Sequence, residues 1–332
     1  MSDGLLLFLV IGGALWFDFV NGFHDAANAI ATVVSTRALS ARQAILLART
    51  LNFVGALAHT AVAYTIGKGV VDSGAVTLPI LLAAVMGAIG WGYLTWYFGL
   101  PSSSTHALVG GLIGVALFTH HFDFSILIGS GIQKILIAMV LSPIAGIVGS
   151  MLVLTALSWA SWKTPYRSSA KFFKRLQVLS ASMVSFSHGM TDAQNGMGII
   201  AVALLAHGLT KDFHIPMWVR LASATAIGLG TSVGGWRIIR TMGTKMVKLH
   251  EPIAGCSAEL TGGLVIATAA FSGAPISTTH VIATAIMGTG AARKLGNIKW
   301  RIVRQIVLAW LITFPGAALV GMMSYLFLRL FL

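Results

Sequence analysis

The sequence predicts an all-α polytopic membrane protein of two inverted-topology repeats, about five spans each, with broken or re-entrant helices at the midplane. Three observations carry this. The 332 residues are 56% hydrophobic and only 9% charged, whereas a soluble domain carries about 25% charged residues. Several apolar runs reach the roughly 20 residues that cross a bilayer. Two polar motifs each occur twice, in the same order. Asn21-Gly22-Phe23-His24-Asp25-Ala26-Ala27-Asn28 is matched by His188-Gly189-Met190-Thr191-Asp192-Ala193-Gln194-Asn195. Pro101-Ser102-Ser103-Ser104-Thr105-His106 is matched by Pro275-Ile276-Ser277-Thr278-Thr279-His280. Asp25 and Asp192 are 167 positions apart and Thr105 and Thr279 are 174 apart, a small net insertion in the second half. A duplicated polar site in a lipid-soluble chain points to a transporter built from repeats.

In the first half the expected spans are 4–34, 45–67, 78–100, 106–118 and 132–162; in the second, 176–206, 217–236, 252–271, 280–292 and 302–332. The first span of each half is too long for one plain crossing and is interrupted by glycine and polar residues. The fourth is too short to cross alone. Both are therefore expected as broken or re-entrant pieces. Residues 1–162 form repeat one, 163–175 a cytoplasmic linker and 176–332 repeat two. The first apolar stretch, from Leu5 to Trp16, has no basic residue before it, so it reads as a span and not a signal peptide.

A net charge of +13 would suggest nucleic-acid binding in a soluble protein. Here the basic residues sit between apolar runs, and topology explains them better. Arg37, Arg42 and Arg49 mark one side, and Lys68 with Asp72 the other. The central loop carries Lys163, Arg167, Lys171, Lys174 and Arg175. Later clusters are Arg237, Arg240, Lys245 and Lys248, then Arg293, Lys294, Lys299, Arg301 and Arg304. The positive-inside rule places the basic-rich loops, not that of Lys68 and Asp72, in the cytoplasm and both termini outside a cell membrane. Corresponding loops of the two halves then lie on opposite sides, which is what makes the repeat inverted. The single cysteine, Cys256, excludes an intrachain disulfide.

Nine acidic residues are present, and four of them, Asp18, Asp25, Asp192 and Glu259, fall inside apolar stretches. A carboxylate at that depth costs at least ~2.5–3.5 kcal/mol, so a cation, a proton or a polar partner must compensate. Asp25 with Asn28, and Asp192 with Asn195, stand at i, i+3 on one helix face. Hard oxygens of this kind suit Na⁺, and a carboxylate can instead take up a proton. Glu259 reads equally as a further cation ligand or a structural partner, and Asp18 as a functional acid or a helix-end acid. In the second motif, proline fits a helix start and a serine or threonine fits an N-cap. Ser104, Thr105, Thr278 and Thr279 add hydroxyls at an end where free N–H groups favour a tetrahedral oxyanion such as phosphate or sulfate. Serine and threonine in membrane helices more often bond the i−4 carbonyl, but recurrence beside a second repeated motif reverses that preference. No Lys or Arg lies in either motif, so bound cations would supply the positive charge and couple the two ligands. His106 and His280 are expected to orient helices by hydrogen bonds. His24 and His188 adjoin the Asp motifs. Gly110, Gly111 and Gly288 should allow close helix packing.

With these motifs the chain closely resembles the inorganic phosphate transporter (PiT) family over nearly its whole length. That resemblance implies phosphate uptake driven by Na⁺ or H⁺, an inverted-repeat fold, no other cofactor and a homodimer in lipid. It implies cation-site roles for Asp25, Asn28, Asp192 and Asn195. It implies phosphate-site roles for Ser103, Ser104, Thr105, Ser277, Thr278 and Thr279. Where the family commonly has Asn before each Asp, this chain has His24 and Thr191. The expected function is symport of phosphate by alternating access, with another oxyanion such as sulfate as the alternative. An intramembrane enzyme fits less well, because catalytic pairs need no such repetition. A channel also fits less well, because nothing resembles a selectivity filter.

Overall fold

The computed structural model describes residues 2–249 and 251–331. Among them are twelve α-helices, two in-register copies of one pattern. Copy one contains α1 (Asp3–Ser35), α2 (Ala41–Ala56), α3 (Ala61–Lys68), α4 (Leu78–Phe98), α5 (Ser104–Thr119) and α6 (Gly129–Ala160). Copy two contains α7 (Tyr166–Ala206), α8 (Met217–Val233), α9 (Trp236–Arg240), α10 (Pro252–Phe271), α11 (Thr278–Arg293) and α12 (Trp300–Leu328). Five of these helices are long and apolar enough to span a bilayer, and six if α2 with α3 counts as one bent span.

Local chemistry sets the boundaries. Ser40 and Gln43 form a capping box at α2. Proline occupies the first turns of α4 and α10, where its missing N–H costs nothing. Gly99, at φ 66°, ends α4 in the left-handed conformation and turns the chain toward Pro101.

Two expectations are corrected. The first span of each half is not broken: α1 and α7 run unbroken for 33 and 41 residues, about 50 and 60 Å at 1.5 Å per residue. Their polar residues are satisfied largely by neighbouring helices, so the backbone has no need to open. The break falls in the second span. α2 and α3 meet at 70°, and α8 stops at Gly234 (φ 72°) before α9 runs into a π-helical turn, Thr241–Met246. The stretch 163–175 is not a free linker either: from Tyr166 onward it forms the first turns of α7.

The copies interlock. α6 packs on α10 and α11 of the other copy, and α12 on α4 and α5. Likewise α2 packs on α7, and α8 on α1. Reciprocal glycines seat the latter pairs. A methyl on Gly22 would fall on the Ile227 carbonyl, and one on Gly189 would fall on that of Asn52. The return contacts are Gly230 on Phe19 and Gly55 on Phe186, at matching repeat positions. Gly110 lies against the Phe314 backbone and Gly288 against Ile147, as expected for close packing. Single antiparallel bridges, Val71 with Leu127 and Val247 with Ile298, tie equivalent loops in each copy.

Candidate functional site

α1 and α7 pack against each other at the centre, each also touching the hydroxyl-bearing helix of the opposite copy. Extended segments at Pro101-Ser102 and Pro275-Ile276 deliver α5 and α11 to this point. Ser103 and Ser277 cap the two helices, each accepting from the N–H of the histidine three residues on at 3.1 Å. The cap dihedrals nearly coincide, φ −96°, ψ 115° and φ −90°, ψ 108°. The remaining hydroxyls turn toward α1 and α7.

There the two repeated motifs join. Asn28 Nδ2 donates to Thr279 Oγ1 at 2.9 Å, and Asn195 Nδ2 donates to Thr105 Oγ1 at 2.9 Å. These bonds cross between copies and are repeat-equivalents of each other. Within each copy a hydroxyl donates to the carboxylate: Ser104 to Asp25 Oδ2 at 3.3 Å, and Thr278 to Asp192 Oδ2 at 3.2 Å. Thr279 also donates to Asp25 Oδ1 at 3.1 Å. Ser104 is partly exposed, and the other members of both motifs named here are buried.

Each carboxylate also has a histidine, taken from non-equivalent positions. His24 Nδ1 lies 2.6 Å from Asp25 Oδ1, and its Nε2 lies 3.1 Å from Thr95 Oγ1. Ser102 Oγ, which donates to Thr95 Oγ1 at 2.9 Å, extends that chain. His188 Nε2 stands 3.3 Å from Asp192 Oδ2 without hydrogen-bond alignment. Its Nδ1 lies 3.2 Å from Asn52 Oδ1, and Asn52 in turn donates to Thr231 at 2.8 Å. The i, i+4 spacing of His188 and Asp192 was available in the sequence. Ser102 lies within the repeated hydroxyl motif, whereas Asn52 and Thr95 had no such signal, because tertiary packing alone brings them in.

One ligand atom each from Asp25, His188 and Asp192 lies within 4.8 Å of the others. Among the described residues, Asn28 Oδ1, Asn195 Oδ1 and Asp192 Oδ1 are buried and accept no hydrogen bond. The centre therefore has spare oxygen acceptors and no lysine or arginine. The one ion pair made by an Arg or Lys among the described residues joins Arg293 to Glu251 at the surface. Such an environment favours a cation.

Glu259 lies apart from this cluster, beside Thr32 further along α1. Thr32 donates to its Oε1 at 2.5 Å, Gln177 to Oε1 at 3.0 Å and Ser180 to Oε2 at 2.5 Å. Both carboxylate oxygens thus accept hydrogen bonds from protein donors. The histidines at the motif ends also differ from expectation. Neither ring nitrogen of His106, nor Nε2 of His280, has a hydrogen-bond partner among the described residues. The two rings instead meet edge to face at 5.0 Å, backed by Phe314 at 5.0 Å and Trp310 at 4.0 Å. They pack the helices together where the copies meet.

Two interlocked copies, membrane-length apolar helices and a buried site formed by both copies are the build of a multi-pass membrane transporter. The chain belongs to the phosphate transporter family, which it matches over residues 21–171 and 160–321. It is 46% identical over 323 residues to a probable low-affinity inorganic phosphate transporter of Rhizobium meliloti, covering 96% of each chain. It is 43% identical over 332 residues to a protein of the same description from Bacillus subtilis, covering 98% of each. A solved structure described as the sodium-dependent phosphate transporter matches with a TM-score of 0.90 and 25% identity, over 99% of this chain and 100% of that one.

Proposed function

We propose that the protein imports inorganic phosphate by symport with Na⁺ through alternating access. Asp25, Asn28, Asp192 and Asn195 would bind the cations. Ser103, Ser104, Thr105, Ser277, Thr278 and Thr279 would bind phosphate at the ends of α5 and α11. The observation that carries the reading is the pair of cross-copy bonds, Asn28 to Thr279 and Asn195 to Thr105, each 2.9 Å. They make the cation and anion ligands one network, so occupancy of one is felt by the other. Thr279 illustrates the order. Its hydroxyl hydrogen points to Asp25. A cation that takes over the carboxylate oxygen frees that hydrogen for a phosphate oxygen, so cation binding precedes anion binding. Without the cation, an anion would face two carboxylates in a low-dielectric setting.

Proton coupling is the second reading, favoured by the 2.6 Å contact between His24 and Asp25. Sulfate is the alternative substrate. Sulfate dianion cannot donate to the spare acceptor oxygens, whereas phosphate monoanion can. In this reading the protein lies in the cell membrane as a homodimer, with repeat one over 1–162, repeat two over 176–332 and both termini outside. The test is labelled phosphate uptake into proteoliposomes with Na⁺ and pH gradients imposed separately. The Na⁺ gradient should drive accumulation, excess sulfate should leave it intact, and Asp25→Asn or Asp192→Asn should abolish it. Full gradient-driven uptake by either variant would overturn the assignment.

A further inference from the structure

Asp18 is not the helix-end acid that the sequence left open. It lies near the middle of α1 and is fully buried. Neither of its carboxylate oxygens has a hydrogen-bond partner among the described residues. The same holds for both polar atoms of Asn21 and for the Ser223 hydroxyl, and both residues are 0% exposed. Asp18 and Asn21 stand at i, i+3, so their side chains share one face of α1. α8 packs along α1 and carries Ser223 to the carboxylate. α7 contributes Gly196, where a methyl would fall on both carboxylate oxygens. Three helices thus enclose a carboxylate, an amide and a hydroxyl with no well-aligned hydrogen bond among them, although the Ser223 hydroxyl and the Gly196 backbone lie beside the carboxylate.

This set is not a copy of the central site. The repeat-equivalents of Asp18 and Asn21 are Ser185 and His188, so α7 has no second acid here. We infer that Asp18, Asn21 and Ser223 form a further Na⁺ site, distinct from the Asp25–Asp192 centre. The donor set is oxygen only: the carboxylate, the Asn21 carbonyl and the Ser223 hydroxyl suit a hard cation. One carboxylate balances one positive charge, whereas a divalent ion would leave net charge in apolar surroundings. A proton is the competing occupant, because a protonated Asp18 can donate to the Asn21 carbonyl, and a labelled-Na⁺ isotherm tells the two apart. Asp18, Asn21, Asp25, Asn28 and Thr32 alternate at three- and four-residue spacing, so the site continues the polar face of α1 that bears the central ligands. An ion here lies on the side of Asp25 toward the α1 N-terminus.

The inference rests on the cation-coupled reading, and one measurement separates the two. Labelled Na⁺ binding is measured at equilibrium on the purified full chain without phosphate. Asp18→Asn should lose one Na⁺ per chain or weaken one binding component about tenfold or more, a change of about 1.4 kcal/mol. Ser223→Ala should weaken the same component more mildly. Asp25→Asn should leave that component in place while losing another. Wild-type stoichiometry and affinity in Asp18→Asn would overturn the site and leave the central reading standing. Should Asp18→Asn not yield folded protein, Ser223→Ala decides alone, and an unchanged isotherm overturns the site. Loss in Asp18→Asn with an unaltered Asp25→Asn would instead support this site and overturn the central one.

Discussion

At the scale of single residues, Thr279 carries more of the proposed coupling than its size suggests. It accepts from Asn28 at 2.9 Å and donates to Asp25 at 3.1 Å, so one hydroxyl joins an amide of the proposed cation set to a carboxylate. Thr279→Val keeps the shape and removes the hydroxyl, leaving the buried Asn28 N–H with only the longer 3.3 Å bond to Thr278. Losing a hydrogen bond to a buried polar group costs about 1–3 kcal/mol. The phosphate KM of Thr279→Val should therefore rise about tenfold or more, while Thr279→Ser stays near wild type; uptake kinetics check both. Asp25 and Asn28 were legible in the sequence because i, i+3 spacing on a helix is itself geometry. Their histidine partners were half legible. Asn52 and Thr95 were not, because each reaches the site from a helix whose register only the packed structure fixes. Asp18 and Glu259 looked alike in the sequence as acids in apolar runs. Their neighbours separate them: Glu259 accepts from three side chains, whereas Asp18 has no well-aligned donor.

At the scale of the helix, small residues set where the polar faces meet. Gly22 and Gly230 let α1 and α8 touch backbone to backbone, and Gly189 with Gly55 does the same for α7 and α2. Gly12, also on α1, faces nothing within 4 Å. Gly22→Ala should destabilise the protein by about 1–3 kcal/mol through overpacking. Gly12→Ala should be neutral or stabilise by up to about 1 kcal/mol through helix propensity. Thermal unfolding in detergent of the two variants side by side checks the contrast. The spans themselves were legible to within a few residues for α4, α10 and α11, where apolar runs end in proline, glycine or a serine cap. The placement of the break was misread. Polar residues in the first span of each copy suggested an opened backbone, yet the helix stays closed because side chains from other helices meet most of those groups. The break after α8 is marked by Gly234 and, beyond α9, by an i, i+5 turn that periodicity does not reveal, while the break after α2, at 57–60, carries no glycine or proline.

At the scale of the whole molecule, the inverted repeat was readable from the order of the motifs and the alternation of loop charge. Its interlocking was not readable, because hydropathy says where helices run and not which copy they join. The proposed orientation is open to a direct check. Cys256 is the sole cysteine and is buried, so introduced thiols have little background. With a membrane-impermeant maleimide on intact cells, Ser2→Cys should label and Ser168→Cys, at the start of α7, should not. The reverse pattern would invert the topology. The exchange of α6 and α12 between copies also bears on how the chain is made. α12 leaves the ribosome after every other described helix, yet it is the partner on which α4 and α5 pack. Until α12 is made, the faces of α4 and α5 that it covers have no partner from the second copy. A chain halted before α12 therefore carries every proposed central ligand of both copies, on α1, α5, α7 and α11, but lacks the helix against which α5 is seated.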